Sequence, residues 1–343
     1  MKILYIFCAI LAFGILVLIH ELGHFLCARA CGVEIKEFAI GMGPRLCGWT
    51  SKKYGTQYSL RALPIGGYVS MLGEDEESDS ENSFGKKNVW QRIAIVLSGP
   101  LMNLALGFIV MTLLVSLSGS LYSNEVYYLQ EETQISEANG LADGDRIIAI
   151  DGTPVHTRFE VAYEIMRKGI EPLDITVVRG GEKMVVENVV FPTYENQGTL
   201  FGGVDFYAGE DPYNLGNVLK HSFYRSVATV KTVIDSFVDL LRGRYGLNAV
   251  SGPVGVTEII VDAAASGVLD FMYIIAVISV NLGMFNLFPV PALDGGRLVF
   301  LLIEAVIRRP VNPKVEGYIH AVGMLLLLGL FVVITFKDVL GLF

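Results

Sequence analysis

Two histidines and a glutamate stand at the end of a run of apolar residues, in the stretch HELGH that covers residues 20–24. On a helix, His20 and His24 lie on one face, one turn apart, where both imidazoles can reach a single metal ion. Zn²⁺ suits imidazole ligands and leaves a coordination position for water. Glu21 would then be free to act as a general base towards that water. The spacing therefore predicts a metal site that performs hydrolysis.

A third ligand must come from elsewhere, and the segment NLFPVPALDGGRLVF at 286–300 supplies a carboxylate. Asp294 is the only charged residue in this segment before Arg297. Pro289 and Pro291 cannot continue a helix, so the backbone before Asp294 must be irregular. Irregular backbone at membrane depth is tolerated only where it packs in protein or lines a watery cavity. We expect Asp294 to face the histidines; the alternative is that it caps a helix or pairs with Arg297.

The elements that carry these residues are apolar enough to lie in a membrane. Hydrophobic residues make up 52% of the 343 residues and charged residues only 18%, against about 25% in ordinary soluble domains. Four stretches approach the roughly 20 apolar residues that a spanning helix needs. They run from about 3 to 28, from 93 to 117, from 271 to 307 with interruptions, and from 318 to 336. The first has an alternative interpretation as a cleaved signal peptide, but its length and its HELGH residues argue against this.

The distribution of charge predicts how the chain crosses the membrane. Lysine and arginine are concentrated in the loops at 29–92 and 308–317. Because such residues mark cytoplasmic loops, we expect these two loops in the cytoplasm, and the long segment after the second span and both termini outside. The net charge of −9 excludes the basic surface that nucleic-acid-binding proteins present.

The outer segment, residues 122–207, has the short strands and turns of a water-soluble domain. Within GLADGDRIIAIDGTPV, Asp-Gly turns flank an alternating strand at 146–150. A helix-like stretch from Arg158 follows, and then two further strands. This order resembles a PDZ domain, a module that binds an extended peptide at a sheet edge; the alternative is a spacer without a ligand. Residues 208–267 are expected to form an amphipathic connection, either along the membrane surface or as a plain linking helix.

The HELGH stretch together with NLFPVPALDGG resembles the bacterial site-2 protease family (peptidase family M50), which are intramembrane zinc metalloproteases, and is closest to their RseP type. The second stretch matches the family pattern Asn-x-x-Pro-x-Pro-x-Leu-Asp-Gly at every defined position. GMGP at 41–44 and SGPLMN at 98–103 resemble further family motifs, with Met42 where the family has phenylalanine. LRALPIGGYVSM at 60–71 resembles the re-entrant β-hairpin after the first span.

The resemblance implies a role for each of these residues. One Zn²⁺ per chain would be bound by His20, His24 and Asp294. Glu21 would activate the water and later pass its proton to the leaving amine. Asn286 would hold the substrate or polarise its scissile carbonyl, and this alternative stays open. The edge strand that pairs with an unwound substrate would contain Gly66, Gly67 and Tyr68.

The expected fold is a polytopic α-helical membrane protein with four transmembrane helices, a membrane re-entrant β-hairpin at 33–72 and an inserted PDZ domain. Its parts would be 1–121 and 268–343 as the membrane core, 122–207 as an extracytoplasmic PDZ domain, and 208–267 as the connection. Tandem-PDZ relatives carry a second such domain, and this segment is long enough for only one.

The expected function is an intramembrane endopeptidase of the bacterial inner membrane. In the family, the substrates are single-span membrane proteins such as trimmed anti-sigma factors and remnant signal peptides. The alternative is a non-catalytic PDZ scaffold in the lipid bilayer with a structural metal site. Glu21 favours the protease, because a scaffold that only binds metal has no use for a general base.

Overall fold

The computed structural model describes residues 2–74, 78–128, 134–196, 198–244 and 250–341. It divides into two compact units, of which the first comprises 1–110 and 250–343 and the second 111–249. Each unit has its own core of buried apolar side chains.

The first unit is mainly helical. Its helices are α1 (Lys2–Ala30), α2 (Val89–Leu117), which continues into the second unit, α6 (Pro253–Ser266), α7 (Val268–Leu287), α8 (Asp294–Ile307) and α9 (Pro313–Gly341). Among the described residues, four of these helices are long and apolar enough to cross a membrane: Tyr5–Ala30, Val89–Leu117, Val268–Leu287 and Pro313–Leu340. The prediction of four transmembrane helices is therefore confirmed by length and composition.

One predicted span is wrong in its extent. The third stretch was expected to continue, with interruptions, to Ile307, but the helix that could span the membrane, α7, ends at Leu287 and α8 is a separate helix that begins at Asp294. The physical reason lies in Pro289 and Pro291, which lack the N–H groups that would continue the helix. The irregular backbone predicted before Asp294 is confirmed.

Helix α1 is part of the core of this unit. The side chains of Leu16, Phe25 and Ala28 are buried, and the last two join the core cluster with Ile95 of α2. A cleaved signal peptide would remove these contacts together with both histidines, so the structure argues against that alternative.

Two long strands, β1 (Ile35–Thr50) and β2 (Gln57–Met71), form an antiparallel hairpin between α1 and α2. Residues 38–40 of β1 pair with two different parts of β2, namely residues 67–69 and residues 58–60. Residues 45–50 pair with 57–61. Within the described residues, the segment 66–71 is thus registered with β1 alone and forms an edge of the sheet. Whether the hairpin enters the membrane stays a prediction.

The second unit is β-rich. Its strands are β3 (Tyr122–Tyr127), β4 (Arg146–Ile150), β5 (Thr153–Pro154), β6 (Leu173–Arg179), β7 (Glu182–Val189), β8 (Thr193–Asn196), β9 (Thr199–Gly202) and β10 (Tyr207–Glu210). The main sheet has the order β10-β3-β4-β6-β7, with β5 paired to β4, and β8 pairs with β9. The strand predicted at 146–150 is β4, and the helix-like stretch that follows is α4 (Arg158–Lys168). Inward side chains such as Ile147, Ile165 and Ile175 are completely buried.

Two further helices belong to this unit, the short α3 (Ile135–Ala138) and the long α5 (Leu215–Leu241). Asn214 caps α5 because its side chain accepts a hydrogen bond from the N–H of Asn217 at 2.9 Å. The connection predicted at 208–267 therefore contains one helix of each unit, α5 and α6.

Candidate metal centre and active site

His20, His24 and Asp294 converge in the first unit. Both histidines lie on α1, one turn apart, and each is only 7% exposed. Asp294 is the first residue of α8. One ligand atom from each residue lies within 4.8 Å of the others. Asp294 Oδ2 is 3.0 Å from His20 Nε2 and 3.3 Å from His24 Nε2. The structure therefore brings together the three residues that the sequence predicted as metal ligands.

The arrangement of these atoms fits a metal ion better than it fits hydrogen bonding. Asp294 Oδ2 is buried, yet it forms no hydrogen bond with any of the described residues. The two Nε2 atoms face each other at 3.2 Å. Two Zn²⁺ bonds of about 2.0–2.1 Å at a tetrahedral angle separate their donor atoms by about 3.3 Å. Two imidazoles and one carboxylate are also the donor set that zinc prefers, so the residues present fit this ion.

The ring of His24 is held in the tautomer that a metal ligand needs. Its Nδ1–H donates a hydrogen bond to the carbonyl oxygen of Ile95 on α2, at 2.8 Å. Since the proton is on Nδ1, the lone pair of Nε2 points towards Asp294 and His20. Such a second hydrogen bond orients a metal-binding histidine and raises its basicity.

Asn103 orients the ring of His20 in the same way, although the sequence alone did not predict a role for it. It is completely buried on α2, and its amide lies 3.3 Å from His20 Nδ1. Its Oδ1 has no hydrogen-bond partner among the described residues. A half-turn of the amide exchanges oxygen and nitrogen, so that Oδ1 accepts the Nδ1–H of His20 and leaves Nε2 free. The signal in the sequence was the motif SGPLMN, which ends at this residue.

The loop that carries Asp294 is fixed by α9. Ala292 has a left-handed backbone with φ of 77°, a conformation that costs free energy for a residue with a side chain. Its N–H donates to Nδ1 of His320 on α9, at 2.9 Å. Arg297, the alternative partner considered for Asp294, forms an ion pair with Glu74. The carboxylate of Asp294 faces the histidines.

Glu21 lies beside this cluster and contacts the hairpin. Its Oε2 accepts a hydrogen bond from the N–H of Val69 at 3.2 Å. Its carboxylate is close enough to interact electrostatically with both histidines and with Asp294. The predicted general base is therefore next to the predicted ligands and next to the edge of β2.

The residues predicted to contact substrate fall into two groups. Gly66 and Gly67 are buried on β2, and Tyr68 follows them at the same edge. The hydroxyl of Tyr68 donates to Glu37 and accepts from Arg61, so its side chain is already engaged within the hairpin. Asn286 lies in the last turn of α7, where its Nδ2 donates to the carbonyl of Leu282 at 2.9 Å. Its hydrogen bonds do not reach the three-residue cluster within the described part of the chain.

Close packing of α1 against α2 depends on glycine. A Cβ atom on Gly99 would overlap the imidazole of His24, and one on Gly23 would overlap the backbone of Ser98. These small residues let the two helices approach closely, which brings Ile95 and Asn103 within reach of the histidines.

Comparison with known proteins agrees with this geometry. The pattern of peptidase family M50 matches residues 8–330. A relative from Clostridium perfringens, whose name describes a zinc metalloprotease, is 36% identical over 98% of this chain and 99% of its own length. The zinc metalloprotease RasP of Shouchella clausii is 29% identical over 96% of this chain and 97% of its own length. The regulator of sigma-W protease RasP of Bacillus subtilis is 29% identical over 97% and 98%. This chain therefore belongs to peptidase family M50, the site-2 proteases, and is a zinc metalloprotease of the bacterial membrane.

Proposed function

We propose that this protein is an intramembrane endopeptidase that hydrolyses peptide bonds within the transmembrane segments of single-span membrane proteins. The observation that carries the proposal is the cluster of His20, His24 and Asp294, with Glu21 beside it, between helices apolar enough to span the membrane. Ionisable groups at that depth are costly and mark functional sites.

His20, His24 and Asp294 would hold one Zn²⁺. A bound Zn²⁺ lowers the pKa of its water and polarises a carbonyl oxygen. Glu21 takes the proton of the attacking water and later delivers it to the leaving amine. The hydrogen bond from Val69 holds the Glu21 carboxylate in place without blocking its second oxygen. Asn286 is proposed either to hold the substrate or to polarise its scissile carbonyl.

The edge of β2 at Gly66, Gly67 and Tyr68 is proposed to bind the substrate by strand addition. A helical substrate conceals its peptide bonds, so it must unwind before cleavage. In the membrane the backbone groups that it releases need partners. The segment 66–71 is registered on one side only, and its N–H at Val69 already reaches the catalytic carboxylate. Pairing there would place an extended substrate beside Glu21.

The β-rich unit is proposed to be an extracytoplasmic PDZ-like domain over residues 122–207. Its sheet has edge strands at β10 and β7, which is where such domains take a peptide. The membrane core would comprise 1–121, with the re-entrant hairpin at 33–72, and 268–343, and residues 208–267 would connect the two parts. The loops at 29–92 and 308–317 would face the cytoplasm, and both termini would lie outside.

The substrates are proposed to be anti-sigma factors already trimmed by another protease, or remnant signal peptides. The name of the Bacillus subtilis relative, a regulator of sigma-W, supports the first class.

Three substitutions test the proposed roles in the purified full-length protein with a reconstituted single-span substrate. Glu21→Gln should retain zinc, because Gln can still accept the Val69 N–H, but should lose cleavage by about 100-fold or more, since general-base catalysis contributes about 10²–10⁴. Asp294→Asn should lower zinc content and cleavage together. Asn286→Leu should keep zinc and reduce cleavage. Full cleavage by Glu21→Gln would contradict the proposed role of Glu21 as the general base.

A further inference from the structure

A basic cavity of about 400 Å³ lies where α2 begins and α8 ends, away from the metal cluster. Its lining includes four cations, one carboxylate and one tryptophan: Lys87, Arg92, Arg308, Arg309, Glu304 and Trp90. All belong to the first unit, and none has been given a role above.

The cavity has an uncompensated positive charge. Arg92 forms an ion pair with Glu304, which leaves Lys87, Arg308 and Arg309 without an ion pair among the described residues. The Nε of Arg92 is buried and lacks an acceptor within the described chain. Several cations held around one cavity repel one another. An anion bound there would relieve this repulsion and accept hydrogen bonds from the guanidinium groups.

The lining of the cavity includes an exposed indole. The side chain of Trp90 is 67% exposed. Trp90 stands in the first turn of α2, at the end of a helix long enough to span the membrane, and indole side chains concentrate at membrane interfaces. An amphiphile would place its charged group among the cations and its chains against Trp90.

We propose that this cavity binds the phosphodiester headgroup of an anionic phospholipid. Basic pockets at the ends of spanning helices bind such headgroups, and arginine matches a phosphate in two hydrogen bonds. Free phosphate shares the headgroup chemistry, but it would make no use of the indole of Trp90. The exposed Trp90 therefore favours the lipid.

The chain offers its own reporter for a test. It has two tryptophans, Trp49 and Trp90, so Trp49→Phe leaves Trp90 at the cavity as the single tryptophan, whose emission can be excited selectively. The full-length variant is reconstituted in bilayers of phosphatidylcholine that contain a varied fraction of phosphatidylglycerol with brominated chains, a short-range quencher. Brominated phosphatidylcholine in the same fraction gives the non-specific quenching.

Phosphatidylglycerol should quench Trp90 more than phosphatidylcholine does at equal fractions. Arg308→Asn with Arg309→Gln should raise the half-saturating fraction about tenfold or more, since each cation near an anionic surface contributes about fivefold. Asn is chosen because Arg308 has a left-handed backbone, with φ of 58°, which Asn tolerates. Lys52→Gln with Lys53→Gln removes the same charge from the turn between β1 and β2 and should change little. Lys87→Gln is a second cavity variant, and zinc content reports whether each variant is folded.

Three results would overturn the proposal. The first is equal quenching by both lipids, and the second is an equal loss in the Lys52 and Lys53 control, which would indicate surface charge alone. The third is complete displacement of the lipid by millimolar inorganic phosphate or glycerophosphate, which would assign the cavity to a soluble phosphate. If the Arg308 and Arg309 variant loses its zinc and is therefore misfolded, the Lys87→Gln variant provides the test instead. An undiminished preference of that variant for phosphatidylglycerol would contradict the proposal.

Discussion

Asn103 shows how much a single buried amide contributes to the metal centre. It is the residue on α2 that faces Nδ1 of His20, while Ser279 of α7 donates to its backbone carbonyl at 2.8 Å. The side chain thus orients a histidine, and the backbone joins two apolar helices. We regard it as a positioning residue, because it does not touch the reacting atoms.

Replacement of Asn103 should weaken zinc binding. Asn103→Leu removes the acceptor for His20 Nδ1–H, and loss of such a partner costs about 10- to 100-fold in metal affinity. Competition with a zinc chelator in detergent measures this affinity. Asn286→Leu is the matched control, because among the described residues the hydrogen bond of the Asn286 side chain stays within α7, and the zinc affinity of this variant should equal that of the wild type. Equal affinity for Asn103→Leu would contradict the positioning role.

At this scale the sequence was informative where polar groups stood among apolar ones. His20, Glu21, His24 and Asp294 were conspicuous for that reason, and the structure places them together. Asn103 was not assigned because its role depends on the distance between α1 and α2, which no spacing along one helix reveals. The engagement of Tyr68 by Glu37 and Arg61 depends likewise on the fold of the hairpin.

Among the elements, the contact between α1 and α2 is the one that builds the site. Gly99 lies directly against the imidazole of His24. A methyl group at this position could not be accommodated, because the hydrogen bond from Nδ1 of His24 to the carbonyl oxygen of Ile95 holds the ring in place. The position of the metal ligand therefore depends on a residue that has no chemistry of its own.

Gly99→Ala should displace the imidazole of His24 and reduce zinc occupancy by about tenfold, as expected when a metal ligand is misplaced. Overpacking should also cost about 1–3 kcal/mol of stability. Metal analysis and thermal unfolding of the purified protein measure both effects. Gly329→Ala on α9 meets no atom within 4 Å and should leave zinc content unchanged. Wild-type zinc content in Gly99→Ala would contradict this prediction, because it would show that α2 can shift enough to accommodate the methyl group.

The elements were predictable to different degrees. Apolar runs indicated four spanning helices, and the prolines at 289 and 291 indicated the break before α8. The division of the third stretch into a spanning helix and a separate helix α8 was not predicted, because the apolar pattern continues on both sides of that break. The pairing of residues 38–40 of β1 with two parts of β2 was also not predicted, because pairing between strands depends on contacts between residues that are distant in sequence.

The whole chain contains two cores, and zinc should stabilise only one of them. All three proposed ligands belong to the first unit, and a ligand stabilises the unit that binds it. Removal of zinc by a chelator should therefore increase amide hydrogen exchange around 20–30 and 95–103. Exchange in β4 and β6 should stay the same. Protection that falls equally in both units would contradict this separation.

The β-rich unit should have its own pH dependence. Burial disfavours the charged form of Asp211, but hydrogen bonds from His221 and Lys220, at 2.8 and 3.0 Å, outweigh it and hold its pKa below the usual value. A carboxyl with a lowered folded-state pKa stabilises the fold fully above its unfolded-state pKa of about 4 and loses this contribution as the pH falls through the folded-state pKa.

The unit should therefore lose stability below about pH 4, and part of this loss should be absent in Asp211→Asn. The variant should also be less stable at pH 7 by about 1 kcal/mol, because the charge on the acceptor is gone. Hydrogen exchange in β4 and β6 between pH 3 and 7 measures both effects. An identical pH profile for wild type and variant would show that Asp211 is not responsible.

The first residue of α8 has a consequence for biosynthesis. The ribosome makes His20 and His24 long before Asp294. With the roles proposed above, a nascent polypeptide that has not yet reached Asp294 holds only two of the three groups that would bind the cation. Hydrolysis of newly inserted neighbouring proteins would therefore have to wait until Asp294 has been translated and has reached the two histidines.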